Sequence, residues 1–234
     1  MKLFILPLAG VITLTSMTLF MQEKNNTLSA KEKKEGWQLL FDGKNTDQWR
    51  PYKNANSDGW EVVNGELHCK ETGVQHRADL VSNKQYSSFE FAFDWKVGKG
   101  ANSGAMYHVS EDHGATFETG PEYQLIDDLG YPEQLEDWQK SGSDYAMHPP
   151  TKIMAKPAGE YNHSRIIVKG AHVEHWLNGE KVVDFDLWTP DWERLKANGK
   201  WKDKPDYGMR KTGHLALQDH GGGIWFRNIK IKPL

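Results

Sequence analysis

A carboxylate and an amide alternate with bulky apolar residues in the stretch GPEYQLIDD, residues 120–128. Side chains alternate across a strand, so Glu122, Gln124 and Ile126 share one face and Tyr123, Leu125 and Asp127 the other. The first face either looks onto solvent at a sheet edge or floors a polar cleft. Three more strand-like stretches pose the same choice. In NSGAMYHV (residues 102–109), Asn102, Gly104, Met106 and His108 share a face whose small residues admit close approach. In HLALQDH (214–220), His214, Ala216, Gln218 and His220 alternate with Leu215, Leu217 and Asp219. In FEFAFDWKV (89–97) the aromatic face turns inward and Asp94 points out. If these faces converge, they offer amides that donate and accept, and carboxylates and imidazoles that move protons. That is the equipment for handling a polar, hydroxyl-rich ligand.

Other chemistries lack their residues. His214 and His220 lie too far apart along one strand to chelate an ion together. There is no phosphate loop, no G-x-S-x-G elbow and no credible cysteine nucleophile. The E-x-D-x-x-E strand of laminarinase-type sandwich glycosidases is absent, and Gln124 stands where that pattern wants an acid. A pair of carboxylates flanking a glycosidic bond is therefore poorly supported. No cofactor is expected, with assistance by a divalent metal left open. His68, His172 and His175 read as structural, and Trp37, Trp60, Trp95 and Trp225 as core. Arg165 is expected opposite Glu174, across a turn at Lys169-Gly170.

The elements that must position these groups are mostly strands. Asn64-Gly65 and Asn178-Gly179 each separate two short strand-like runs, as tight hairpin turns require. Helical signal is sparse. Thr189 caps a short helix with Pro190 in its first turn and Gly199 at its end, and residues 132–140 form a second candidate. Ten Trp and 22 Gly among 234 residues suit an all-β domain rich in turns. Many short antiparallel strands argue for a β-sandwich or jelly roll, one curved sheet of which forms a concave cleft. The formal charge of -3 lacks the basic footprint of a nucleic-acid binder.

The N-terminus reads as a processing signal. Lys2 precedes an apolar run over residues 3–21, which suits an export signal peptide ending near Ala30. An uncleaved anchor is the alternative, because a spanning helix needs about 20 apolar residues. Either places the remainder outside the membrane, and membrane attachment follows only from an anchor. Residues 31–35 read as a linker and residues 36–234 as one domain. Cys69 is the sole cysteine, so no intrachain disulfide forms and the apolar run offers no lipid-attachment site. A periplasmic or secreted location is expected.

Several stretches occur together and in order: GWQLLFDGKNTDQWR, YSSFEFAFDWKV, NSGAMYHV, TGPEYQLIDD, KPAGEYN, VEHWLNGEKVVDFDL and GHLALQDHGGGIWFRNIKIKPL. From Gly36 to Leu234 the chain resembles the 3-keto-disaccharide hydrolase family. The resemblance implies a concanavalin A-like jelly roll, export, and cleavage of glycosides whose glucose carries a ketone at carbon 3. It implies elimination followed by hydration, which needs an acid/base pair rather than two flanking carboxylates. Carried onto this chain, Glu122 and His220 are the expected pair. Asn102, Gln124 and Gln218 are expected sugar or enolate ligands, with Asp94 and His108 as weaker ones. The family usually has Arg where this chain has His108. The stretch SGSDYAMHPP also departs from the family pattern, but Tyr145 keeps its aromatic position and is a spare leaving-group acid. A carbohydrate-binding module without turnover is the competing reading.

Overall fold

Phe89, Phe91, Phe93 and Trp95 are all fully buried, so the alternation along residues 89–97 builds a core strand. A computed structural model describes residues 24–234. The apolar run over residues 3–21 lies outside the described residues. In chain order the strands are β1 (Gln38–Leu39), β2 (Trp49–Pro51), β3 (Trp60–Val63), β4 (Glu66–Cys69), β5 (Leu80–Tyr86) and β6 (Phe89–Val97). They continue as β7 (Asn102–Val109), β8 (Glu122–Ile126), β9 (Asn162–Lys169), β10 (His172–Leu177), β11 (Glu180–Asp186), β12 (Gly213–Leu217) and β13 (Ile224–Pro233).

These strands form two antiparallel sheets packed face to face, the expected jelly-roll sandwich. An eight-stranded sheet runs β11-β10-β9-β6-β13-β4-β3, with β1 added beside β13. A five-stranded sheet runs β2-β5-β12-β7-β8. The main core fills the space between them. A smaller apolar cluster of Tyr52, Val81, Met106, Val109 and Ala216 underlies the other face of the five-stranded sheet. The sheets are also joined by polar atoms. The Trp95 indole N–H donates to Ser164 Oγ at 2.8 Å, Ser164 donates to the Tyr123 hydroxyl at 2.8 Å, and Tyr123 donates to the Trp176 carbonyl at 3.1 Å. This chain fixes the inward face of β8, and with it the outward direction of Glu122 and Gln124.

Both Asn-Gly turns form, with Asn64, Gly65, Asn178 and Gly179 all at positive φ. The helix α2 (Pro190–Asn198) has the expected Thr189 cap. Residues 132–140 contain only a 3-10 turn at Asp137–Gln139. The Arg165–Glu174 pairing does not occur. The chain turns through Gly170 and Ala171, so Arg165 lies opposite Trp176 and its guanidinium stacks 4.7 Å from that ring.

Residues 31–35, read as a linker, instead continue a capped helical turn, α1 (Ala30–Lys34). The Ser29 hydroxyl and the Glu32 carboxylate form a capping box, and Glu32 pairs with Lys230 of β13. Just upstream, within the stretch assigned to the export signal, Asn26 clasps β13. Its N–H donates to Asn228 Oδ1 at 2.6 Å, its own Oδ1 accepts from the Asn228 N–H at 2.8 Å, and its amide donates to the Gly65 carbonyl at 2.8 Å.

Candidate active site

Glu122 stands on the outward face of β8, opposite Met106 of β7, and Gln124 stands opposite Gly104. The carboxylate fits there because residue 104 has no side chain. A Cβ at Gly104 would lie 2.3 Å from Glu122 Oε1. Beyond β8, residues 141–145 run alongside as an irregular edge. Gly142 N–H donates to the Gln124 carbonyl, Gln124 N–H to the Ser143 carbonyl, and Tyr145 N–H to the Glu122 carbonyl. This edge covers β8 and brings Tyr145 beside the carboxylate.

The surrounding cavity has a volume of about 140 Å³. Glu122 and Gln124 from β8, Asn102 from β7, and Gln218 and His220 from the turn after β12 all line it. Tyr145 completes its rim. Six of the eight residues singled out in the sequence therefore meet at one site. The amide oxygens Asn102 Oδ1 and Gln218 Oε1 are buried and have no hydrogen-bond partner among the described residues. Buried polar atoms are rarely left unpaired, so these two are disposed to meet a ligand.

Asp94 and His108 are elsewhere. Asp94 lies on β6 in the other sheet, on the face turned away from the core. His163 Nδ1 and Asn228 Nδ2 each approach its carboxylate at 2.7 Å. Burial pushes its pKa up, but those hydrogen bonds outweigh it and hold the carboxyl below its usual range. Alternation tells which residues share a face, not which sheet receives the strand. His108 fails for another reason. Its φ of 54° marks a bulge, across which β7 pairs Met106 with Ala216 but Val109 with His214. The extra residue turns His108 inward, edge-on to Phe89 at 6.0 Å, with Nε2 2.8 Å from the Ser87 carbonyl.

Three lining residues were not foreseen. Phe117 comes from the loop before β8, and Lys200 and Trp201 follow α2. The Lys200 ammonium stands 4.2 Å from the Tyr145 ring centroid and 5.1 Å from that of Trp201. A Lys-Trp pair just past a helix-ending glycine, in a polar insertion, was the only sequence signal for it.

A second cavity of about 400 Å³ adjoins the first and shares Phe117, Gln218 and His220 with it. Tyr52, Arg77 and Asp79 line its far side. Asp79 accepts the Asp219 N–H at 2.8 Å and the Thr116 hydroxyl, and Asp219 pairs with Arg77 at 2.7 Å. Asp79 precedes β5 without any pattern to flag it. Elsewhere a cavity of about 550 Å³ opens between residues 24–27 and the Asn64-Gly65 turn, but it has neither histidine nor aromatic side chain.

Burial dominates the electrostatics. It pushes the Glu122 carboxyl up to about 8, with Asp79 and Asp144 adding to the rise and Lys200 opposing it. Burial likewise raises Asp79, against the hydrogen bonds from Thr116 and the Asp219 N–H. An acid that keeps its proton into the neutral range and sits in a cleft is what proton-transfer chemistry requires. Among the described residues, one trio could hold a divalent ion: His172, Glu174 and Asp184. It lies on β10 and β11, outside both cavities, and Lys181 already pairs with both carboxylates.

Residues 36–232 match the family model described as a 3-keto-alpha-glucoside-1,2-lyase-like domain. A 3-keto-disaccharide hydrolase of Bacteroides thetaiotaomicron is 32% identical over 229 residues, covering 86% of this chain and 79% of its own. A solved structure from Parabacteroides distasonis ATCC 8503, provisionally named a glycosyl hydrolase, superposes with a TM-score of 0.85 at 44% identity. It covers 90% of this chain and 100% of its own. A second structure from that organism, named likewise, gives a TM-score of 0.65 at 27% identity, over 85% of this chain and 99% of its own.

Proposed function

Because the chain belongs to the 3-keto-alpha-glucoside-1,2-lyase-like family, we propose that it cleaves glycosides whose sugar carries a ketone at carbon 3. The observation that carries this reading is that Glu122 and His220 line one cavity with the unpartnered amide oxygens of Asn102 and Gln218. The ketone acidifies the hydrogen on carbon 2. Glu122 takes that proton, and the C–H electrons move onto the ketone oxygen as an enolate. A buried carboxylate with a pKa near 8 is a stronger base, once ionised, than one in water.

The Lys200 ammonium and the Gln124 amide offset the enolate's charge. The enolate then re-forms the ketone, a double bond forms between carbons 1 and 2, and the bond from carbon 1 to the glycosidic oxygen breaks. His220, on the boundary between the two cavities, gives that oxygen a proton. Water adds to carbon 1, carbon 2 regains a proton, and the net reaction is hydrolysis. The ring to be attacked fills the cavity at Glu122, and the departing group extends past Phe117 toward Tyr52 and Asp79.

The test compares a 3-keto-glucoside with its unoxidised parent, using the wild type and the Glu122→Gln and His220→Ala variants. Cleavage of the keto form alone, lost in both variants, supports the reading. Binding of sugar without turnover of either substrate replaces it with a carbohydrate-binding module. We also propose export, on the strength of Lys2 and the apolar run that follows. Fractionation of cells producing the full chain tests it, and recovery in the cytoplasm would refute it.

A further inference from the structure

Behind Glu122, where the two sheets meet beside β8, lies a polar cluster that the proposed reaction leaves unused. Asp144 Oδ1, Tyr107 Oη, Tyr207 Oη, Ser143 Oγ and His175 Nε2 have no hydrogen-bond partner among the described residues. All five residues are completely buried. One such atom in a domain is unremarked, but a carboxylate oxygen and four neighbouring atoms together need a common explanation. The Asp144 charge acts on Tyr107, Tyr207 and His175 alike, and Tyr207 also senses Glu122.

The hydrogen-bonding character of His175 is fixed by its surroundings. His175 Nδ1 lies 3.0 Å from the Gly142 carbonyl, so it carries the proton and donates. Burial pushes the ring down to about 4, so it is neutral and its Nε2 is a bare acceptor. Asp144 Oδ2 is bonded to His148 Nδ1 at 2.8 Å, which leaves Oδ1 a second bare acceptor. Tyr107, Tyr207 and Ser143 supply three hydroxyls. Water satisfies such a mixed set, since it donates twice and accepts twice, and buried water typically makes about three hydrogen bonds.

The cluster has two ends. Tyr207 stacks 4.2 Å from Trp201, which lines the cavity together with Glu122. His148, bonded to Asp144, reaches the surface with 23% of its side chain exposed. We infer that buried water held by Asp144, Tyr207 and their neighbours forms a proton path from Glu122 to His148, emerging behind the sugar site. This rests on Glu122 being the base. The path lets the proton taken from carbon 2 leave while the bound sugar covers the front of the carboxylate. Asp144, Tyr207 and His148 are then positioning residues that never touch the sugar.

Two experiments test it. The first is independent of activity: a high-resolution crystal structure is expected to show ordered water bonded to Asp144 Oδ1 and Tyr207 Oη. A dry cluster overturns the inference. The second follows a 3-keto-glucoside carrying deuterium on carbon 2 through a single turnover in ordinary water. The wild type is expected to lose the label to solvent. Tyr207→Phe and Asp144→Asn are expected to return it to carbon 2 several-fold more often, because the trapped proton has no exit. His148→Gln, at the partly exposed end of the path, should do the same while Asp144 and Tyr207 stay in place. Equal label loss in all three variants overturns the path. If Glu122→Gln cleaves as well as the wild type, the base assignment has failed, whatever the water shows.

Discussion

Replacing Gly104 with alanine should disable Glu122 without touching it. The added Cβ would lie 2.3 Å from Glu122 Oε1 and 2.8 Å from both Cγ and Cδ, whereas ordinary contact begins at 3.4 Å. Tyr123, the next residue on β8, is held by its bonds to Ser164 and Trp176, so the strand cannot back away as a whole. The carboxylate must swing off by about 1 Å, a displacement worth about 100-fold in rate when a reacting group is involved. The overpacking should cost about 1–3 kcal/mol of stability, partly offset by about 0.5–1 kcal/mol from stiffening a strand glycine. Steady-state kinetics on a 3-keto-glucoside, with thermal melts alongside, separate the two effects. We expect kcat to fall about 100-fold while the protein stays folded. Adding Glu122→Asp, which shortens the carboxylate by one methylene, should recover part of the loss. A Gly104→Ala protein that turns over like the wild type, with the methyl visible in its crystal structure, would refute the placement argument.

Three other outcomes follow from the same structure. The Glu122 carboxyl rises from 4.5 to about 8 on folding, so the unfolded chain ionises first and stability falls as pH climbs between those values. Glu122→Gln should therefore match the wild type below pH 4.5 and exceed it by on the order of 4 kcal/mol above pH 8, readable in urea melts across pH. Lys200 lowers the Glu122 pKa, so Lys200→Met should shift the rising limb of the pH–rate profile to higher pH, and an unmoved limb would exclude electrostatic coupling between the two. Asn26→Ala leaves the Gly65 carbonyl and the Asn228 N–H without their partner, which should cost about 1–3 kcal/mol and lower Tm by several degrees.

Period-two alternation carried the sequence reading furthest where both faces of a strand had clear characters. Along β8 it separated Glu122 and Gln124 from Tyr123 and Leu125, and along β6 it separated the aromatics from Asp94. It failed where register broke or where sheet membership mattered. One added residue at His108 reversed the facing of that side chain, and a bulge leaves no periodic trace. Asp94 was given the right face of its strand but belongs to the wrong sheet, because strand order is a long-range property. A turn placed one residue early shifted β9 against β10 by two positions and replaced Trp176 with Glu174 as the partner of Arg165. Lys200, Trp201 and Asp79 escaped because loops carry no period at all.

The position of β13 bears on how the chain can be made. Residues 224–233 occupy the middle of the eight-stranded sheet, between β6 and β4, and also receive β1 and the Asn26 clasp. Until they are made, β6 and β4 are separate edges and the N-terminal segment lacks its bonds to Asn228 and Lys230. Contacts of such long sequence separation make folding slow. The sandwich therefore cannot close until β13 has been made, and the chain stays threadable while the residues before Ile224 are synthesised. Any machinery that needs an unfolded polypeptide has that interval in which to engage it. The same delay leaves two hydrophobic strand edges open, so a holdase chaperone should bind the chain truncated before Ile224 more tightly than the full one.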